Sequence, residues 1–137
     1  MRVALCWLGL TGCVVQGSGG GGDCTTDDQC NSGFVCARGD RLCVTPSEVR
    51  EVTAHWTING GPATTNSCDG RDLFIDFQSD RPEDSLGFAP VPCFAGQFSV
   101  DALPLRFTTV ELGVDGGGRR DFAAFDGNGE AQLDLAF

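Results

Sequence analysis

Sulfur carries the reactive chemistry of this chain: eight of its 137 residues are cysteine, at positions 6, 13, 24, 30, 36, 43, 68 and 93. A cysteine can attack an electrophile, bind a metal or oxidise to a disulfide, and the compartment decides which. Cys24, Cys30, Cys36 and Cys43 are separated by gaps of five or six residues. Structural zinc favours close pairs such as C-x2-C, so this spacing is wrong for a thiolate site. Twenty residues also cannot bury a core, because chains below about 40 residues usually need covalent or metal staples. Cross-linking is the chemistry that fits. Cys68 and Cys93 lie 25 positions apart, and closing a loop of that length stabilises by about 3 to 4 kcal/mol in the chain-entropy description.

The other reactive groups are sparse. His55 is the only histidine, and no motif supplies the nucleophile and orienting acid that a hydrolytic site would place around it. The chain is therefore expected not to be an enzyme and to need no cofactor; an accessory hydrolase domain is the alternative. Asp76, Asp80, Glu83 and Asp84 read as an acidic loop, and Asp126-Gly127-Asn128-Gly129-Glu130 as an acidic turn. Oxygens at alternate positions are what calcium requires, and Asp126, Asn128 and Glu130 resemble the opening of an EF-hand loop. The bidentate Glu at the twelfth position is missing, so the expected reading is a plain turn, with a calcium-dependent adhesion module as an alternative. Arg38-Gly39-Asp40 stands in the gap between Cys36 and Cys43, where Gly and Asp also suit any tight turn.

Charge narrows the partners. Nine basic residues, all arginine, face 19 acidic ones for a formal charge of −10. Such a field repels a polyanion, so nucleic acid is not expected as a partner, whereas divalent cations or basic proteins suit it. A hydrophobic share of 41% against 20% charged residues is that of a globular chain.

The N-terminus explains how the cysteines could be oxidised. Residues 1–12 hold one Arg, an apolar run from Val3 to Leu10, and small residues before Cys13, which is the grammar of a secretory leader. The run falls short of the roughly 20 apolar residues that a spanning helix needs. Leu10-Thr11-Gly12-Cys13 resembles the bacterial lipoprotein box. That resemblance implies cleavage before Cys13, diacylglycerol on its sulfur and usually a further acyl chain on its amino group. The partner it implies is a membrane, engaged through the lipid anchor; Val14 in place of Asp implies the outer membrane of the cell envelope. Residues 13–23 would then be the lipidated cysteine and a Gly-rich tether, whose ten residues after Cys13 reach on the order of 17 Å as a flexible coil.

Residues 24–44 form the Cys-rich unit. Asp27-Asp28 before the second cysteine and Gly33 before the third resemble small dickkopf-like or EGF-like repeats. Three pairings of the four cysteines are open, and Cys24 with Cys36 and Cys30 with Cys43 is the one expected.

After a linker at residues 45–50, residues 51–137 hold the main core, including most of the phenylalanines. Val52, Ala54, Trp56 and Ile58 alternate with polar residues, as a half-buried strand requires. Leu73, Ile75 and Phe77 repeat the pattern, as do Phe98, Val100 and Ala102, then Leu105 and Phe107, and finally Ala131, Leu133, Leu135 and Phe137. Between Phe107 and Val110 the parity switches, which predicts a bulge. Turns are expected at Asn59-Gly60-Gly61-Pro62, Asp69-Gly70, residues 115–118 and residues 126–129. Roughly six to eight short strands without amphipathic helices predict a mainly β chain, an antiparallel β-sandwich behind the disulfide-rich module and tether. The segment Trp56-Thr57-Ile58-Asn59-Gly60, Cys68, Pro92-Cys93, Gly96-Gln97-Phe98 and Leu103-Pro104 resembles the immunoglobulin-like or transthyretin-like sandwich of many bacterial lipoproteins. Cys68 and Cys93, the two cysteines that remain, are expected to bridge within it. The functional expectation is a membrane-anchored extracytoplasmic lipoprotein with a binding or structural role toward an envelope protein or surface ligand.

Overall fold

A computed structural model describes residues 22–137; the leader, Cys13 and most of the tether lie outside the described residues. Strands β1 (Val35–Ala37) and β2 (Leu42–Val44) form a hairpin in the Cys-rich module. The body then runs β3 (Val49–Ile58), β4 (Gly61–Pro62), a single helical turn α1 (Thr65–Cys68), β5 (Asp72–Ser79), β6 (Ser85–Pro92), β7 (Gln97–Pro104), β8 (Phe107–Val114), β9 (Arg120–Ala124) and β10 (Glu130–Leu135). The chain is mainly β and of the sandwich class. One sheet is the antiparallel ribbon β6-β5-β8-β9, and the other is centred on β3, which pairs with β10, β7 and β4.

The apolar alternation places the core between these sheets. Val52, Ala54, Trp56 and Ile58 of β3 face Leu73, Ile75 and Phe77 of β5, with Leu133 and Leu135 of β10 beside them. Phe77 has no exposure, and its ring lies 6.0 to 6.2 Å from those of Phe88, Phe98 and Phe125. Trp56 donates its indole N–H to the Cys93 carbonyl at 2.8 Å, so the polar edge of the ring is satisfied inside the core. The Cys68–Cys93 disulfide joins α1 to the short 3-10 turn at Cys93–Ala95.

Several local expectations are revised. β10 pairs parallel to β3, Leu133 opposite Trp56, so this sheet is mixed; β10 arrives from the opposite sheet, and no hairpin forces it to run antiparallel. Leu105 is not in a strand: β7 ends at Pro104 and Leu105 lies in the turn, 47% exposed. Asp69-Gly70 does not join strands; it caps α1, with φ of 51° and 69°, because a helix end calls for the same left-handed residues as a hairpin. Strands β6 and β9 carry little apolar alternation and edge the sheet, where β6 accommodates Pro90 and Pro92. The bulge is present: Gln78 faces Thr109 while Ser79 faces Phe107, which leaves Thr108 as the extra residue.

The module is stapled by Cys24–Cys36 and Cys30–Cys43 and docks on the sandwich. Arg38 donates its backbone N–H to the Ala102 carbonyl at 2.9 Å, and its guanidinium forks onto Asp101 at 2.7 and 2.6 Å. In the reverse direction Arg106 forks onto Asp40 at 2.7 and 2.6 Å and also reaches Asp84 at 2.6 Å. Residues 45–50 are not a loose linker. Thr45 and Glu48 close a capping box around a 3-10 turn, and β3 starts directly after it at Val49.

Truncating Phe77 to Ala is expected to destabilise the sandwich by about 3 to 5 kcal/mol, through lost burial and the cavity left behind; urea unfolding measures it. The docking should respond to acid. Hydrogen bonds from Arg38 hold the Asp101 carboxyl below the ordinary range, and those from Arg106 do the same for Asp84. A lowered folded value means stabilisation that is complete above the unfolded value of about 3.9 and is lost as pH falls through the folded one. The Nε–H resonances of Arg38 and Arg106 should thus stay constant from pH 7 to 5 and move only below about pH 4.

Candidate functional site

Alternation along β5 turns Leu73, Ile75 and Phe77 inward and therefore Phe74, Asp76 and Gln78 outward. Register then assembles the outer face. Asp76 lies between Gly87 of β6 and Glu111 of β8, and Glu111 in turn lies beside Phe122 of β9. One row along, Phe74 pairs with Gly113, which pairs with Arg120. A row of glycine, two carboxylates and a phenylalanine thus crosses all four strands, with an aromatic ring and a guanidinium alongside.

Glu111 is the buried charge of this face, 6% exposed. One of its oxygens accepts from Arg120 Nη1 at 2.9 Å and the other from Gln78 Nε2 at 2.8 Å. Arg120 also lies over the Phe74 ring, 5.7 Å from its centre. Gly113 makes that arrangement possible, because a Cβ there would come within 2.5 Å of the Phe74 ring. Asp76 is less well served. Its Oδ2 is 3.4 Å from the Gln78 amide, and its Oδ1 is shielded from solvent with no hydrogen-bond partner among the described residues. Around it opens a cleft of about 410 Å³ lined by Phe74, Asp76, Phe88, Glu111 and Arg120, with Gly87 on its edge-strand side. Phe122 stands next to Glu111 in register, 57% exposed. With both Glu111 oxygens engaged and one Asp76 oxygen sealed, the arrangement suits binding rather than proton transfer.

The residues singled out from sequence fall elsewhere, with one exception. Asp76 belongs to strand β5 rather than to an acidic loop; it lines a cavity together with Asp84, whose carboxylate is bound by Arg106. His55 lies on the outer face of the other sheet, between Gln97 and Gln132 in register. The Asp126 carboxylate accepts the backbone N–H groups of Asn128 at 2.8 Å and Glu130 at 2.9 Å, and these bonds lower its pKa. It serves its own turn. Arg38 and Asp40 are both engaged by the sandwich, and Gly39, at φ 88°, faces Leu86, so the tripeptide is a docking element. Cys24, Cys30 and Cys43 form the one cluster of three or more metal-type ligand atoms within 4.8 Å among the described residues, and each sulfur is in a disulfide. Cys13 lies outside the described residues. Gln78, Glu111, Arg120, Phe74 and Phe122 were not singled out; the outward parity of β5 was the available signal, but it does not say which strands lie alongside.

No protein-family model, no curated protein and no solved structure matches this chain.

Arg120→Ala removes one of the two donors to the buried Glu111 carboxylate. Discounted for the exposure of the arginine, the expected cost is about 1 kcal/mol. A double-mutant cycle with Glu111→Gln should return a coupling of about 0.5 to 1.5 kcal/mol, whereas additivity would mean that the pair does not act as a unit.

Proposed function

We propose that the chain is a lipid-anchored extracytoplasmic protein with a non-enzymatic binding role, whose working surface is the outer face of β6-β5-β8-β9. The observation that carries this reading is the state of the sulfurs: all six cysteines from position 24 onward are paired in three disulfides. Such pairing belongs to oxidising compartments, and the leader-like N-terminus ending in Leu10-Thr11-Gly12-Cys13 supplies a route to one.

Lipid on Cys13 supplies the attachment. One acyl chain binds a membrane reversibly, while two or three, at about 0.8 kcal/mol per buried CH₂, hold a protein there. Among the described residues no helix is long and apolar enough to cross a membrane. Val14, rather than Asp, after the modified cysteine favours the outer membrane. The binding role rests on the cleft around Asp76 and Glu111. It combines a volume of about 410 Å³ with convergent polar groups, the usual combination in ligand sites.

Cells expressing the protein in radioactive palmitate should label it, and Cys13→Ser should abolish the label and release the chain from the membrane fraction. An unlabelled wild-type protein would overturn the anchor.

A further inference from the structure

Resting on the binding role proposed for this face, we infer that the cleft between Asp76 and Glu111 receives the side chain of a lysine or arginine presented by a partner polypeptide. Charge comes first. Asp72, Asp76 and Glu111 point outward where Arg120 is the one basic residue of these four strands and Arg81, in the loop after β5, lines a neighbouring cavity with Asp76; on a chain of formal charge −10 the face attracts cations.

The structure already contains a guanidinium held in this way. Arg120 hydrogen-bonds Glu111 and lies over the Phe74 ring, which satisfies charge and apolar surface together. Asp76 has no such partner. A carboxylate oxygen shielded from water without a hydrogen bond is costly, and a cation brought into the cleft compensates it electrostatically without direct contact. Gly87, directly across the ladder from Asp76, carries no side chain to close the entrance; glycine inside a strand marks a point of close approach. Phe74 and the exposed Phe122 flank the carboxylates. Lysine and arginine fit such surroundings, because their aliphatic stems pack on apolar surface while the charged head reaches a carboxylate or an aromatic face.

Other occupants suit the site less well. A bare metal ion would want a third hard ligand, and no third carboxylate converges with this pair among the described residues. A polyanion would be repelled.

Calorimetry on the full chain in detergent micelles at physiological salt tests the inference. The probes are blocked tripeptides with a central arginine, lysine or norleucine, and a neutral cellohexaose. Arginine and lysine peptides should bind with one-to-one stoichiometry, at least about tenfold tighter than norleucine. Asp76→Asn should weaken them about tenfold, and Phe122→Ala, an exposed position where folding is not at stake, by about threefold. Asp28→Asn, which removes the same charge from the module, should leave binding unchanged.

Equal losses in Asp76→Asn and Asp28→Asn would reduce the effect to bulk charge and overturn the proposal. So would norleucine binding as tightly as lysine, binding of the oligosaccharide instead, or no binding at all. Palmitate labelling is read independently, so the anchor can stand while this inference falls, and the reverse.

Discussion

Side chains alternate across a β-strand, and this constraint ties the candidate site to the core. Burying Leu73, Ile75 and Phe77 leaves Phe74, Asp76 and Gln78 no choice but the opposite face. On β8 the same rule would be ruinous if it ran unbroken. Phe107 faces inward, so strict alternation would send Thr109 and Glu111 into the apolar layer, where an unpaired carboxylate costs several kcal/mol. The extra residue at Thr108 shifts the parity, turning Val110 and Leu112 inward and Glu111 outward to Arg120 and Gln78. One bulge thereby satisfies both sides of the sheet.

Covalent and ionic constraints divide the remaining work. The module has too little apolar surface to fold by burial, and its two disulfides hold it together. They do not orient it. Orientation comes from two arginine forks of opposite direction, Arg38 from the module onto Asp101 and Arg106 from the sandwich, where Asp84 holds it, onto Asp40. Two planar, bidentate pairs fix direction as well as distance, which point charges would not. Asp23 bridges to Leu42, which ties the first described residues to β2.

This use of arginine shapes the surface. Arg38, Arg106 and Arg120 are each committed to carboxylates, and Arg50 lies over the Phe125 ring. With 19 acidic residues against nine basic ones, the surplus carboxylates must lie where no arginine reaches them. Asp76 is such a case, and its place beside a cleft turns a compositional bias into a local field.

Much of the fold was legible in the chain alone. Period-two alternation identified the core residues of β3, β5 and β10, the parity switch predicted the bulge, and cysteine spacing pointed to cross-links rather than zinc. Each is a local property, decided by neighbours a few residues apart. Strands β6 and β9 were not legible, because edge strands bury little and so carry a weak pattern. The parallel pairing of β10 with β3, the docking use of Arg38 and Asp40, and the meeting of Asp76 with Glu111 and Arg120 depend on register between segments far apart in sequence. Only the folded sheets fix that register, and local sequence pattern does not specify which strands become neighbours.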